Sequence, residues 1–190
     1  MDNTTMTAQW HAEHVGFSRL LDLLEDQLAR FREGESPDLP LMLEIVSYLR
    51  EYGDSFHHPR EDAAFECLVA RDPTLRLPIN RLLQEHRVIA FAGDELAARL
   101  NQVIGDAVVL RATVEAAAAL YLAYYRNHLS TEERLILPRA AVLLTEQDRE
   151  TVARAAPAGP DPLFGAAPTA TYRRLRELMA ARPEDGAHRD

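Results

Sequence analysis

Two imidazoles and two carboxylates fall within the seven residues Phe56-His57-His58-Pro59-Arg60-Glu61-Asp62. His57 and Glu61 are four residues apart, and so are His128 and Glu132. At that spacing two side chains share one face of an α-helix and can bind one site. Imidazole with carboxylate is a borderline-hard donor set suited to iron, manganese or zinc, and no thiolate accompanies it. Two carboxylates able to bridge, with four or five imidazoles around them, suit two ions better than one. His14 and His86 extend the set, because each stands where the surrounding pattern calls for an apolar side chain. A lone histidine on a core seam is more often a hydrogen-bonded core residue than a ligand. Three such histidines on separate helices, with a His-His-Glu cluster on a fourth, reverse that balance.

Four long amphipathic helices are predicted to position these groups. The first spans about residues 7–33, with Trp10, Phe17, Leu21, Leu24, Leu28 and Phe31 on its apolar seam and His14 filling the one gap. Alternating steps of three and four mark a bundle helix. Gly34 stops it, and Ser36 before Pro37 resembles a cap. The second begins near Asp38 and buries Leu41, Ile45, Leu49, Tyr52 and Phe56. Gly53 and Pro59 predict a kink or short break near residues 53–58 before the helix resumes to about Ala70. The third starts near Pro78 with seam Ile79, Leu82, His86, Ile89, Gly93, Leu96, Leu100 and Val103. The fourth covers about residues 111–137 with seam Val114, Ala118, Tyr121, Tyr125, His128, Glu132 and Leu135, and Pro138 interrupts it. The expected fold is all-α: an up-down-up-down four-helix bundle over residues 7–144. A helical appendage with a proline-rich connector follows over 145–182, and a loose tail over 183–190. Thr145 with Asp148 predicts a capped short helix within the appendage.

In such a bundle the start of helix one lies beside the end of helix two, the start of helix three and the end of helix four. At about 1.5 Å per residue, His14, His57, Glu61, His86, His128 and Glu132 fall within one or two turns of a common height. Burying so many polar groups without a shared partner would be very costly, and a metal centre supplies one. Each imidazole also needs an acceptor for its other nitrogen, and Glu13 and Glu85 are near in sequence. His11, Asp62 and Glu133 are expected on solvated faces, Cys67 as a buried small hydrophobe, and Tyr125 as a lining of the pocket above the metals. His188 is given no role.

Composition narrows the class. The 190 residues carry a formal net charge of −9, with 47% hydrophobic and 27% charged residues. That suits one soluble globular core and argues against nucleic acid or an anionic membrane as partner. The longest apolar run, Ala116 to Tyr125, is too short to span a bilayer. The single cysteine, Cys67, excludes an intrachain disulfide. With no signal-like stretch in Met1 to Gln9, a cytoplasmic protein is expected.

The ordered set His14, His57-His58-Pro59-Arg60-Glu61-Asp62, His86 in Gln84-Glu85-His86-Arg87, and His128 through Glu132-Glu133 followed by Leu137-Pro138 resembles the hemerythrin-like (HHE cation-binding) domains over residues 10–140. Asp161-Pro162-Leu163-Phe164-Gly165 also resembles the tail of bacterial members. The resemblance implies an oxygen-bridged, non-haem di-iron site in a four-helix bundle, with manganese or zinc as less favoured ions. It implies His14, His57, Glu61, His86, His128 and Glu132 as ligands, with Glu61 and Glu132 bridging. Oxygen-carrying hemerythrins have a second histidine four residues further along helix three, where this chain has Ala90. Either one iron is a ligand short or His58 makes up the difference, and whether His57, His58 or both bind is open at this level. The expected function is binding or sensing of a small oxidant or gas (oxygen, nitric oxide or peroxide) or of iron. The alternative is a di-iron oxidoreductase acting on the same molecules. The oligomeric state is not legible.

Overall fold

The computed structural model describes residues 3–156, 159–165 and 170–181 of the chain. Among them there is helix and no strand. The first helix, α1, covers Asn3–Arg32 and ends at Gly34, whose φ of +87° is open to glycine and strained for other residues. Asp38, not Ser36, caps α2 (Leu39–Tyr48) by accepting the Leu41 amide at 3.0 Å, with Pro40 in the first turn.

The helix does not break before Pro59. It widens. A π-helical segment, Leu49–His57, leads directly into α3 (His58–Arg71), and the His58 amide bonds the Gly53 carbonyl five residues back. Pro59 lacks an amide hydrogen, and in a regular α-helix its ring would crowd the carbonyl four residues earlier. Widening the turn relieves that crowding while the helix continues.

A short turn, Pro73–Leu75, leads to α4 (Arg76–Ile104), and α5 covers Arg111–Thr131. The second proline repeats the device of the first. Segment Glu132–Ile136 is π-helical, the Leu137 amide bonds the Glu132 carbonyl, and α6 (Leu137–Leu143) carries the helix past Pro138. This shifts the inward phase: Ile136 and Leu137 are buried, whereas Leu135, expected on the seam, is 38% exposed. Helix α7 (Glu146–Ala155) starts with the expected capping box between Thr145 and Asp148. A single turn, Ala170–Tyr172, precedes α8 (Arg173–Ala181). The expected tail, 183–190 with His188, lies outside the described residues, as does part of the proline-rich connector.

The four rods are α1, α2 with α3, α4, and α5 with α6. Helix α1 packs on α2, α5 and α6, and α4 packs on α2, α3 and α5, while α7 lies on α3 and α8 on α2. The core divides into two apolar clusters. The larger includes Phe17, Leu24, Tyr52, Ile89 and Tyr125; the smaller includes Trp10, Phe65, Leu82 and Ile136. In every rod the polar residues fall between the two: His14 between Trp10 and Phe17, His57 and Glu61 between Tyr52 and Phe65. Likewise His86 lies between Leu82 and Ile89, and His128 and Glu132 between Tyr125 and Ile136. A polar layer therefore crosses the whole bundle at one height, with apolar packing above and below it.

Candidate metal centre

All seven sequence-predicted donors are buried: His14, His57, His58, Glu61, His86, His128 and Glu132 are each at most 7% exposed. Six of them, all but Glu132, form two groups that share one carboxylate. His14, His57 and Glu61 make the first, and His58, Glu61, His86 and His128 the second, with one ligand atom from each residue within 4.8 Å of the others in its group. The adjacent His57 and His58 thus serve different groups. His58 stacks on His86 with ring centroids 4.2 Å apart, on the side of the helix-three rod, whereas Ala90 belongs to neither group.

Glu61 reaches both groups with separate oxygens. Its Oε1 is 3.1 Å from His57 Nε2 and 3.3 Å from His14 Nε2, and its Oε2 is 3.6 Å from His86 Nε2. Glu132 spans the same gap from the opposite rod, with Oε2 3.1 Å from His128 Nε2 and 3.6 Å from His14 Nε2. Its Oε1 is 3.9 Å from His86 Nε2. Imidazole nitrogens also converge pairwise: His14 and His57 Nε2 are 3.1 Å apart, as are His86 and His128 Nε2. At this distance one nitrogen of each pair carries a proton, or both lone pairs face a metal cation.

The arrangement leaves polar atoms stranded. His58 Nε2, Glu61 Oε2 and both Glu132 oxygens are buried without a hydrogen-bond partner. An unpaired buried polar group costs roughly 1–3 kcal/mol, and more if it is charged. The four atoms belong to residues of the two donor groups and to Glu132 beside them, a buried imidazole and carboxylate set that fits metal cations.

A carboxylate backs every imidazole on its outer nitrogen. The Nδ1–H of His14 donates to Glu133 at 2.8 Å, that of His57 to Glu13 at 2.5 Å and that of His86 to Asp62 at 2.8 Å. His58 Nδ1 is 3.2 Å from Asp54, and His128 Nδ1 faces Glu85 at 3.6 Å, beyond hydrogen-bonding distance. At His14, His57 and His86, holding the proton on Nδ1 turns the Nε2 lone pair inward and raises its basicity, the usual outer partner of a metal-bound histidine. Asp62 and Glu133, expected in solvent, are therefore corrected to members of this outer ring, and Asp54 was missed. The signal for Asp54 existed: it precedes His58 by four residues, on the same helix face. His11 is exposed as expected and bonds Glu133 at 3.0 Å. Cys67, expected to be buried, is only partly so.

The charge state of the ring follows from these contacts. Burial opposes a charged His14 imidazole, but the hydrogen bonds it donates to Glu133 and Glu61 outweigh burial and raise its pKa to about 10. For His128, burial is likewise outweighed, chiefly by Glu132, and its pKa is raised to about 10. His58 goes the other way: burial, then the neighbouring His86 and His128, push it well below the ordinary imidazole value. Burial would raise the Glu13 carboxyl, but His57 and Arg60 lower it to about 2. Arg60 itself is buried, donates to both Glu13 oxygens at 2.9 and 2.7 Å, and donates through Nε to the Phe56 carbonyl. Nothing in the residue pattern distinguished it from a surface arginine.

Tyr125 roofs the centre, with its ring 6.0 Å from His58 and 6.5 Å from His128, and Phe17 lies edge-on to His57 at 4.9 Å. These rings keep water from the inner side. A family model, the hemerythrin HHE cation binding domain, matches residues 5–140. No curated protein and no solved structure matches the chain.

Proposed function

From the premise that the chain belongs to the hemerythrin HHE cation-binding domain family, we propose that its bundle holds two iron ions and binds or senses a small oxidant or gas. The observation that carries this reading is the sharing of Glu61 between two buried donor groups. In this reading His14 and His57 would hold one ion, and His58, His86 and His128 the other, with Glu61 and Glu132 the carboxylates within reach of both. Iron in such a donor set supplies a redox-active Lewis acid able to take up oxygen, nitric oxide or peroxide. The chain's own residues do the rest: Glu133, Glu13 and Asp62 fix the tautomers of His14, His57 and His86, Arg60 keeps Glu13 ionised against His57, and Phe17 and Tyr125 exclude bulk water.

The two groups differ in donor number, two imidazoles against three. The poorer position is the observation that favours a second reading, an oxidoreductase acting on the same small molecules. The net charge of −9 supports partners other than nucleic acid or an anionic membrane. Among the described residues no helix is long and apolar enough to cross a membrane. A single cysteine supports a cytoplasmic location.

Optical spectroscopy of the iron-loaded protein tests the reading. A visible absorption that bleaches on reduction and returns with oxygen supports binding, and sustained consumption of peroxide or nitric oxide with a reductant supports the oxidoreductase. A spectrum indifferent to reduction and to all three molecules would refute both.

A further inference from the structure

A ladder of phenols leads away from one side of the centre. Glu13, which accepts the Nδ1–H of His57, also accepts the Tyr52 hydroxyl at 3.0 Å. Tyr52 stacks on Tyr48, with ring centroids 5.9 Å apart and planes 14° from parallel. Tyr48 meets Tyr172 edge-on at 5.5 Å. Phe17 joins the ladder to the centre, its ring 4.9 Å from that of His57 and 6.3 Å from those of both Tyr48 and Tyr52. Tyr48, Tyr52 and Tyr172 are buried. Ring-to-ring contact is therefore unbroken from His57 to Tyr172.

The outer two phenols each have a proton acceptor in place. Tyr48 donates to Asp161 at 3.1 and 3.2 Å, and Tyr172 donates to Glu51 at 2.5 Å. Glu51 is exposed and lines an open cleft of about 330 Å3 with Ser47, Arg50, Asp54 and Ser55. A phenol gives up an electron far more readily when its proton can leave along an existing hydrogen bond. The contrast lies within the same apolar cluster: Tyr121 and Tyr125 have buried hydroxyls with no partner. The hydroxyls of Tyr48, Tyr52 and Tyr172 each meet a carboxylate.

Resting on the reading of the centre as iron that meets a small oxidant, we propose that Tyr48 and Tyr172 form a one-electron relay. It links the cleft at Glu51 to the centre. With hydrogen peroxide as oxidant, two electrons and two solvent protons yield two waters. Each electron leaves Tyr48 across Tyr52 and Phe17, and the phenolic proton passes to Asp161, leaving a neutral tyrosyl radical. Tyr172 then returns an electron to Tyr48 while Asp161 returns the proton, and the proton of Tyr172 passes to Glu51. A small one-electron donor in the cleft, of the enediol class, reduces Tyr172, which recovers its proton from Glu51; the donor's own proton goes to solvent. The carboxy-terminal segments supply both Asp161 and Tyr172, and so complete the relay.

The full chain, loaded with iron and with its iron content and optical spectrum recorded, is mixed with hydrogen peroxide and freeze-quenched for electron paramagnetic resonance. The relay predicts a neutral tyrosyl signal that is absent from metal-free protein and quenched by ascorbate. The signal is lost in the Tyr48→Phe, Tyr172→Phe double variant while its iron content and spectrum hold. Tyr172→Phe alone keeps the radical on Tyr48 and slows the ascorbate quench, which decides the matter if the double variant loses iron. Iron-holding wild type without a tyrosyl signal overturns the relay, as does an undiminished signal in the double variant or an unchanged quench in Tyr172→Phe. A chain that takes up no iron overturns the relay together with the reading of the centre, and metal analysis tells that failure from the others.

Discussion

His57 and His58 are neighbours in the chain, yet their Nε2 atoms belong to different donor groups. Their roles should therefore separate by substitution. His58→Ala removes one imidazole from the larger group only and should leave about one tightly held ion per chain, whereas Glu61→Ala, in both groups, should leave close to none. Equal loss in both variants would contradict the division. Protonation gives a second test at this scale. In the metal-free protein the His14 and His128 pKa values are raised to about 10 from an ordinary 6.5. A group charged more readily in the folded state stabilises it fully below the unfolded value, and the contribution is lost as pH rises through the folded one. Metal-free protein should therefore lose thermal stability between about pH 7 and pH 10. Metal-loaded protein, whose imidazoles are already neutral, should not show that loss.

At the scale of the element, the two prolines and the widened turns before them set the inward phase of two rods. Both π-helical segments end one residue before an X-Pro pair. Gly53 lies inside the first, and a Cβ added there would come 2.8 Å from the Tyr125 hydroxyl. Alanine at a helix interior normally gains about 0.5–1 kcal/mol over glycine. Collision with a fully buried ring costs about 1–3 kcal/mol, so Gly53→Ala should destabilise on balance. Urea unfolding of Gly53→Ala, Tyr125→Phe and the double variant checks this: removing the hydroxyl should recover most of the loss. Much at this scale was legible beforehand. The three-and-four spacing placed four helices, and a histidine in an apolar seam marked each of three rods. What the spacing could not give was the response to Pro59 and Pro138, because π-widening depends on how the neighbouring helices pack on the rod. The misplacement of Leu135 follows from that one shift in phase. Asp62 and Glu133 were misassigned for a different reason: they sit at the edge of the polar face, where only the neighbouring rod decides between water and an imidazole.

At the scale of the whole molecule, the polar layer joins two apolar clusters that share no other centre, and the sole tryptophan, Trp10, reports on the smaller. The larger cluster is further tied down by the carboxy-terminal segments, through Tyr48 with Asp161, Arg19 with the Met179 carbonyl at 2.7 Å, and Arg174 with Asp38. The smaller cluster is covered by α7, through Val152 and the Arg71–Asp148 pair, but holds fewer buried side chains and so depends more on the centre. Chelation should lower the melting temperature, since a ligand that binds only the folded state stabilises it in proportion to its occupancy. It should also speed amide exchange around Trp10 and Phe65 more than around Leu24 and Leu96. Uniform exchange across both clusters would show that the polar layer holds its shape without metal.

Metal analysis of the purified chain, by plasma emission on protein of known concentration, tests the central claim most directly. Two groups joined through Glu61 predict about two iron ions per chain. Full saturation at one ion, or a chain saturated with no ion at all, would contradict the shared-carboxylate centre.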